Sequence, residues 1–227
     1  MTYQSSTSKK PAWSYSALTA FETCPRRYYL TRVAKSVVEP QNEAAVWGST
    51  VHKHIEERLL SRKPLPEYLA TYEPMLQKID NRNGKKIVEE RLTLNKSYMP
   101  TTWMAKDAWC RCVVDAGVLG SKKGALLDWK TGKKKEDSDQ LKLFAAVAFS
   151  HYPWLETVST GFVWLKDGSI TKEVFTRDHV PGIWDEFNVR VNRLYAAYDN
   201  NTWQAKPSGL CRSWCPVGKA NCEFCGG

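Results

Sequence analysis

Residues 126–132 read LLDWKTG, two aliphatics running into an aspartate, a tryptophan, a lysine and a Thr-Gly stop. In a strand, residues two apart share a face, so Asp128 and Lys130 point one way while Leu127 and Trp129 point the other. One face is charged and the other is core. Standing alone, such a D-x-K describes an edge strand with a solvated face. The segment upstream changes that reading. RCVVDAGVL (111–119) is a second strand, joined to ALLDWKT (125–131) by the tight polar link GSKK (120–123). With GSKK as a four-residue loop, Leu119 faces Gly124 and Asp115 falls opposite Asp128. Cross-strand partners stand about 4.5–5.5 Å apart, and like charges there repel. Nothing structural explains the pair, whereas a divalent cation between them does. Oxygen ligands suit Mg²⁺ or Mn²⁺, and an imidazole such as His52 adds a preference for Mn²⁺.

Working outward, KIVEERLTL (86–94) reads as another strand. AAVWGSTVHKHIEERLL (44–60) fits a helix, with Trp47, Val51, Ile55 and Leu59 at intervals of four and with His52 and Glu56 on a stripe beside them. A helix is expected from Gln140 to about His151, with Asp137 or Ser138 at its N-cap. TVSTGFVWL and SITKEVF form a hairpin around Lys166, Asp167 and Gly168. PGIWDEFNVRVNRLYAAYDN is a long amphipathic helix. Earlier, a short helix begins at Ser14 or Ser16, and Pro25 opens a second helical turn carrying Arg26 and Arg27. A further helix runs from Tyr72 to Ile79. The result is a mixed α and β chain without internal repeats, expected as a flexible arm (1–12), one main domain (13–205) and a Cys-rich tail (206–227).

The formal charge is +9, which favours a polyanionic partner such as nucleic acid. The longest apolar run, LFAAVAF (143–149), is too short for a bilayer and the N-terminus has no apolar signal core. The expectation is a soluble, cytoplasmic protein with no membrane partner. Seven cysteines in such a chain argue for metal or cluster ligation rather than disulfides. Four of them fall in CRSWCPVGKANCEFC near the C-terminus. Cys110 and Cys112 read as buried thiols.

In that order, SYSALTAFETCPRRYY, GSTVHKHIE, VVDAGV, LLDWKTG and QLKLF resemble the RecB-like branch of the PD-(D/E)xK nucleases, above all small bacteriophage exonucleases and CRISPR-associated RecB-like nucleases. The resemblance implies an α/β (mixed α+β) restriction-endonuclease-like core: a central mixed sheet flanked by helices, with the Cys-rich tail packed near the N-terminal helix. It implies His52, Asp115, Asp128 and the Trp129 carbonyl as metal ligands, Asp115, Asp128, Lys130, Glu56 and Gln140 as catalytic residues, and Arg26, Arg27 and Gln140 as contacts to the nucleic acid. The family's Q-x-x-x-Y keeps Gln140 but has Phe144 here. Glu89 resembles an acidic strand position of some phage members.

The implied activity is Mg²⁺- or Mn²⁺-dependent exonucleolysis of single- or double-stranded DNA ends, in phage recombination, replication or host-DNA degradation. The alternatives are a CRISPR-associated nuclease trimming DNA before integration, or a non-catalytic DNA-binding module of nuclease descent. Self-association stays open. The tail is expected to carry a 4Fe-4S cluster on Cys24, Cys211, Cys215 and Cys222, with Zn²⁺ on Cys211, Cys215, Cys222 and Cys225 as the rival.

Overall fold

A computed structural model describes residues 10–40, 42–134 and 138–226. Asp137 and the first nine residues of the expected arm therefore lie outside the described residues. The chain divides into two compact units, Met1–Pro40 with Asp185–Gly227, and Gln41–Trp184. Helix α1 (Tyr15–Thr23) starts where the Ser14 hydroxyl accepts the Ala17 N–H, and it buries Leu18 and Phe21. Cys24 breaks it in extended backbone, and Pro25, which has no N–H to lose at a first helical position, opens α2 (Pro25–Tyr28). A π-helical turn, Tyr29–Val33, follows.

The second unit begins with α3 (Glu43–Ser61), capped by Asn42. Val51, Ile55 and Leu59 of its apolar stripe are buried, whereas Trp47 is 46% exposed and leans on Tyr68. The expected four-residue periodicity thus holds for three positions, and Trp47 lies on the cavity side instead. A 3₁₀ turn (Glu67–Tyr72) leads into α4 (Glu73–Asp80), and Arg58 ties α3 to it by pairing with Glu73 and Asp80.

Strands β1 (Lys85–Leu94), β2 (Cys110–Leu119), β3 (Lys123–Lys130), β4 (Thr157–Trp164) and β5 (Ser169–Thr176) form one sheet in sequence order. β2, an interior strand, is nearly all apolar, as burial on both faces demands. β5, at an edge, alternates partly buried and exposed residues. All neighbours are antiparallel except β3 and β4. A parallel pair needs a crossover, and α5 (Asp139–His151) supplies it. Ser138 occupies the N-cap of α5 without a side-chain bond. The β4–β5 turn closes on Gly168, whose φ of 69° belongs to the left-handed region that favours glycine. Val51, Ile55, Ala116, Val118, Trp129 and Val163 share one apolar cluster between α3 and the sheet.

Helix α6 (Val180–Asp199) then carries the chain back into the first unit. There Trp13 stacks on Phe187 and Arg190 forms a two-pronged bond with Glu22. Lys10 pairs with Asp199 and Pro11 O accepts from Tyr195, so the last residues of the expected arm are held in place. Among the described residues no helix is long and apolar enough to cross a membrane.

Candidate active site

The β2–β3 hairpin pairs Leu119 with Gly124, Val118 with Ala125, Gly117 with Leu126 and Ala116 with Leu127. Strand β3 starts at Lys123, two residues earlier than expected, because the Gly120 N–H closes the turn on Lys123 O. The register is the expected one, and its next rung is Asp115 beside Asp128. On the other side of β2, Val88 pairs with Ala116 and Glu90 with Val114, which brackets Glu89 against Asp115. Three carboxylates thus share one rung of three adjacent strands. The regular ladder stops there, and the Trp129 N–H donates to Asp115 Oδ2 at 2.7 Å. Glu89 has φ of 47°, a left-handed conformation that costs a non-glycine residue about 1–3 kcal/mol.

Helix α3 brings His52 over this rung. Its Nε2 lies 2.9 Å from Trp129 O, and its Nδ1 lies 3.4 Å from Asp115 Oδ2. One helical turn earlier, Gly48 faces Thr131, and a Cβ there would stand 3.1 Å from Thr131 Oγ1. A side chain there would be tight against Thr131 unless that hydroxyl shifted by a few tenths of an ångström. Donor atoms of His52, Glu89 and Asp115 lie within 4.8 Å of one another. Glu56 lines the same open cavity as His52 and Glu89.

The D-x-K pair behaves as its spacing requires. Gln140, in the first turn of α5, donates to Asp128 Oδ1 at 2.9 Å and accepts from Lys130 Nζ at 2.9 Å. Lys130 Nζ also stands 2.7 Å from Asp128 Oδ2 and 4.7 Å from the centre of the Phe162 ring. That ion pair is close but misaligned for a hydrogen bond, so buried Oδ2 keeps an undirected lone pair. Trp129 points away into the core, 2% exposed.

The structure therefore gathers His52, Glu56, Glu89, Asp115, Asp128, Lys130, Gln140 and the Trp129 carbonyl, and adds Phe162. Phe144 is buried. Arg26 and Arg27 belong to the other unit and have partners within it. The Arg26 guanidinium donates to Asn221 O, and Arg27 pairs with Glu39. Cys24, Cys211, Cys215, Cys222 and Cys225 line one small cavity of that unit. Lys206 N–H points to Cys24 Sγ at 3.5 Å and Ser208 N–H to Cys211 Sγ at 3.3 Å. Cys110 and Cys112 are buried thiols, as expected.

Burial, with Asp128 beside it, pushes Asp115 up to about 8. Burial likewise raises Asp128, although Lys130 opposes it, and raises Glu89, to which Glu56 and Asp128 add repulsion. Burial lowers His52. Crowded acids short of positive charge, an undirected carboxylate oxygen and an imidazole at the same point are a donor set that fits a divalent cation. A carboxyl whose folded pKa lies above its ordinary value stabilises the fold at low pH, and that stabilisation is lost as pH rises through the folded value. The depressed His52 works in the opposite sense, and its smaller contribution fades above pH 6.5 as the unfolded imidazole also loses its proton. Between pH 6.5 and 8.5 the metal-free protein is predicted to lose stability at about 1 kcal/mol per pH unit. Asp115→Asn, which still accepts the Trp129 N–H, should flatten that slope, and Mn²⁺ should stabilise only the unsubstituted protein. Thermal melts in EDTA and in Mn²⁺ measure both effects.

A family model for the PD-(D/E)XK nuclease superfamily matches residues 12–222. No curated protein matches the sequence. Among solved structures, a "Putative exonuclease" from Eubacterium rectale is similar at 13% identity and a TM-score of 0.52, over 93% of this chain and 91% of that one. The protein SSO0001 is 12% identical with a TM-score of 0.47, over 94% of this chain and 87% of that one. With the family's motifs spread through nearly its whole length, the chain belongs to the PD-(D/E)XK nuclease superfamily.

Proposed function

We propose that this protein is a metal-dependent deoxyribonuclease that hydrolyses phosphodiester bonds from DNA ends. The observation that carries the reading is Asp115, held between His52, Glu89 and Asp128 and followed on the next strand by Lys130. Held by His52, Glu89 and Asp115, with Asp128 and the Trp129 carbonyl beside them, Mg²⁺ or Mn²⁺ would supply Lewis acidity and a water of lowered pKa.

The chain's own groups do the rest. Lys130, fixed by Asp128, Gln140 and the Phe162 face, presents its ammonium where negative charge develops on the phosphoryl oxygens. Gln140 holds Asp128 and Lys130 in one arrangement, so neither swings away when substrate enters. The Trp129 carbonyl orients the imidazole of His52. Action from ends is supported by the resemblance to phage exonucleases and by the name of the Eubacterium rectale protein. A gene neighbourhood of phage replication proteins would place the enzyme in phage DNA processing; CRISPR components would place it in spacer acquisition.

Asp115→Ala, Asp128→Ala and Lys130→Ala are each predicted to lower Mn²⁺-dependent cleavage of end-labelled DNA about a thousandfold. DNA binding should survive, because phosphate affinity comes from basic residues elsewhere. Full activity in Asp128→Ala would overturn the site.

We also propose that Cys24, Cys211, Cys215 and Cys222 hold a 4Fe-4S cluster. A tetrahedral zinc gathers its four sulfurs about 3.8 Å apart. Among the described residues no three of the cysteine sulfurs lie mutually within 4.8 Å, a spread that suits the wider span of a cluster better than a single zinc ion. Burial, with Cys215 and Cys222 beside it, pushes the Cys225 thiol up to about 12. A link from Cys24 to the tail closes roughly 190 residues of chain and restricts the unfolded state more than a local clip does. Anaerobically purified protein is predicted to be brown, with Cys24→Ala bleaching it and lowering its melting temperature while Cys225→Ala does neither. Colourless protein holding one equivalent of zinc, with Cys225→Ala the damaging substitution, would decide for the rival.

A further inference from the structure

We infer, building on the nuclease reading, that the cavity at the end of the Asp-x-Lys strand is a groove for unpaired DNA, which makes a single-stranded end the substrate form. The cavity has a volume of about 950 Å³ and lies wholly within the Gln41–Trp184 unit. Trp47, Tyr72, Lys78, Thr131, Leu165 and Lys166 lie along it. It starts one residue beyond Lys130, at Thr131, where the Leu165 N–H donates to Lys130 O at 2.9 Å. Gly48, which lines the cavity of His52, Glu56 and Glu89, lies against Thr131, which lines this one.

Its lining holds two aromatic rings and two lysines beside apolar residues such as Met75, Val163 and Ile170. Trp47, half-exposed at the start of α3 where periodicity assigns it to the core, offers a ring to the cavity. Tyr72 supplies a second ring, while Lys78 and Lys166 are exposed and cationic. Asp167 is the one acidic residue along this wall, and it is turned into the β-turn, accepting the Ser169 N–H at 2.8 Å. Aromatic rings take the face of any base and lysines take the phosphates between, the combination that binds single strands without regard to sequence. In a duplex the base faces are stacked and hidden. A cavity of this volume takes a few unstacked nucleotides.

The test is binding of fluorescent oligo-dT and of a duplex of equal length to the metal-free protein. The unsubstituted protein should prefer oligo-dT. Trp47→Ala should weaken that binding about tenfold. Lys78→Ala with Lys166→Ala should reduce the slope of log affinity against log salt by about 1.4, two phosphates at about 0.7 each. Preference for the duplex, or variants that bind oligo-dT like the unsubstituted protein, would overturn the groove. Mn²⁺-dependent hydrolysis of thymidine 5′-p-nitrophenyl phosphate by the unsubstituted protein reports on the catalytic centre alone. Groove binding without that hydrolysis leaves the groove for unpaired DNA standing and removes the nuclease reading with its substrate form; hydrolysis with no effect of the groove variants does the reverse.

Discussion

Asp115 and Asp128 lie on one rung of adjacent strands, 7% and 5% exposed, where two like charges repel and neither is fully hydrated. The surroundings answer that repulsion from every side. The Trp129 N–H and Gln140 donate to the two carboxylates, and Lys130 stands beside Asp128. The imidazole of His52 leans in from α3, whose Gly48 lies against Thr131. Glu89 then adds a third acid in a left-handed backbone conformation. A fold selected only for stability would not assemble these groups. They are consistent with a site built around a cation and an anionic substrate.

The same constraint explains which helices matter. Helix α3 is amphipathic, with its apolar stripe in the shared core and its polar stripe over the carboxylates. Helix α5 exists because β3 and β4 are parallel and need a crossover, and its first turn delivers Gln140 to the Asp-x-Lys strand. Catalytic placement is thus a by-product of topology. The residues that would do chemistry sit at the points where helices meet the strand, and the core behind them fixes their geometry.

Much of this was legible in the sequence because it depends on local periodicity. The tight link between β2 and β3 fixed the register of Asp115 against Asp128, and the two-residue spacing put Asp128 and Lys130 on one face. Glu89 was harder. The long stretch 95–109 separates β1 from β2, so no turn length specifies their register, and the left-handed φ at Glu89 leaves no signature in residue type. Trp47 misled because it continues a four-residue spacing past the part of α3 that the sheet covers. Arg26 and Arg27, expected as contacts to the nucleic acid, have partners, Asn221 and Glu39, that are visible only in three dimensions. Helix periodicity carries no information about such distant pairings.

The central claim is that the carboxylate rung is a cation site, and direct counting of bound Mn²⁺ tests it most simply. Free Mn²⁺ gives a solution EPR signal that vanishes on binding, so titrating protein into a fixed concentration gives stoichiometry and affinity without reference to catalysis. The account predicts one equivalent bound near neutral pH by the unsubstituted protein and by Lys130→Ala, with binding lost in Asp115→Asn and weakened in Glu89→Gln. Unchanged Mn²⁺ binding in Asp115→Asn would contradict it.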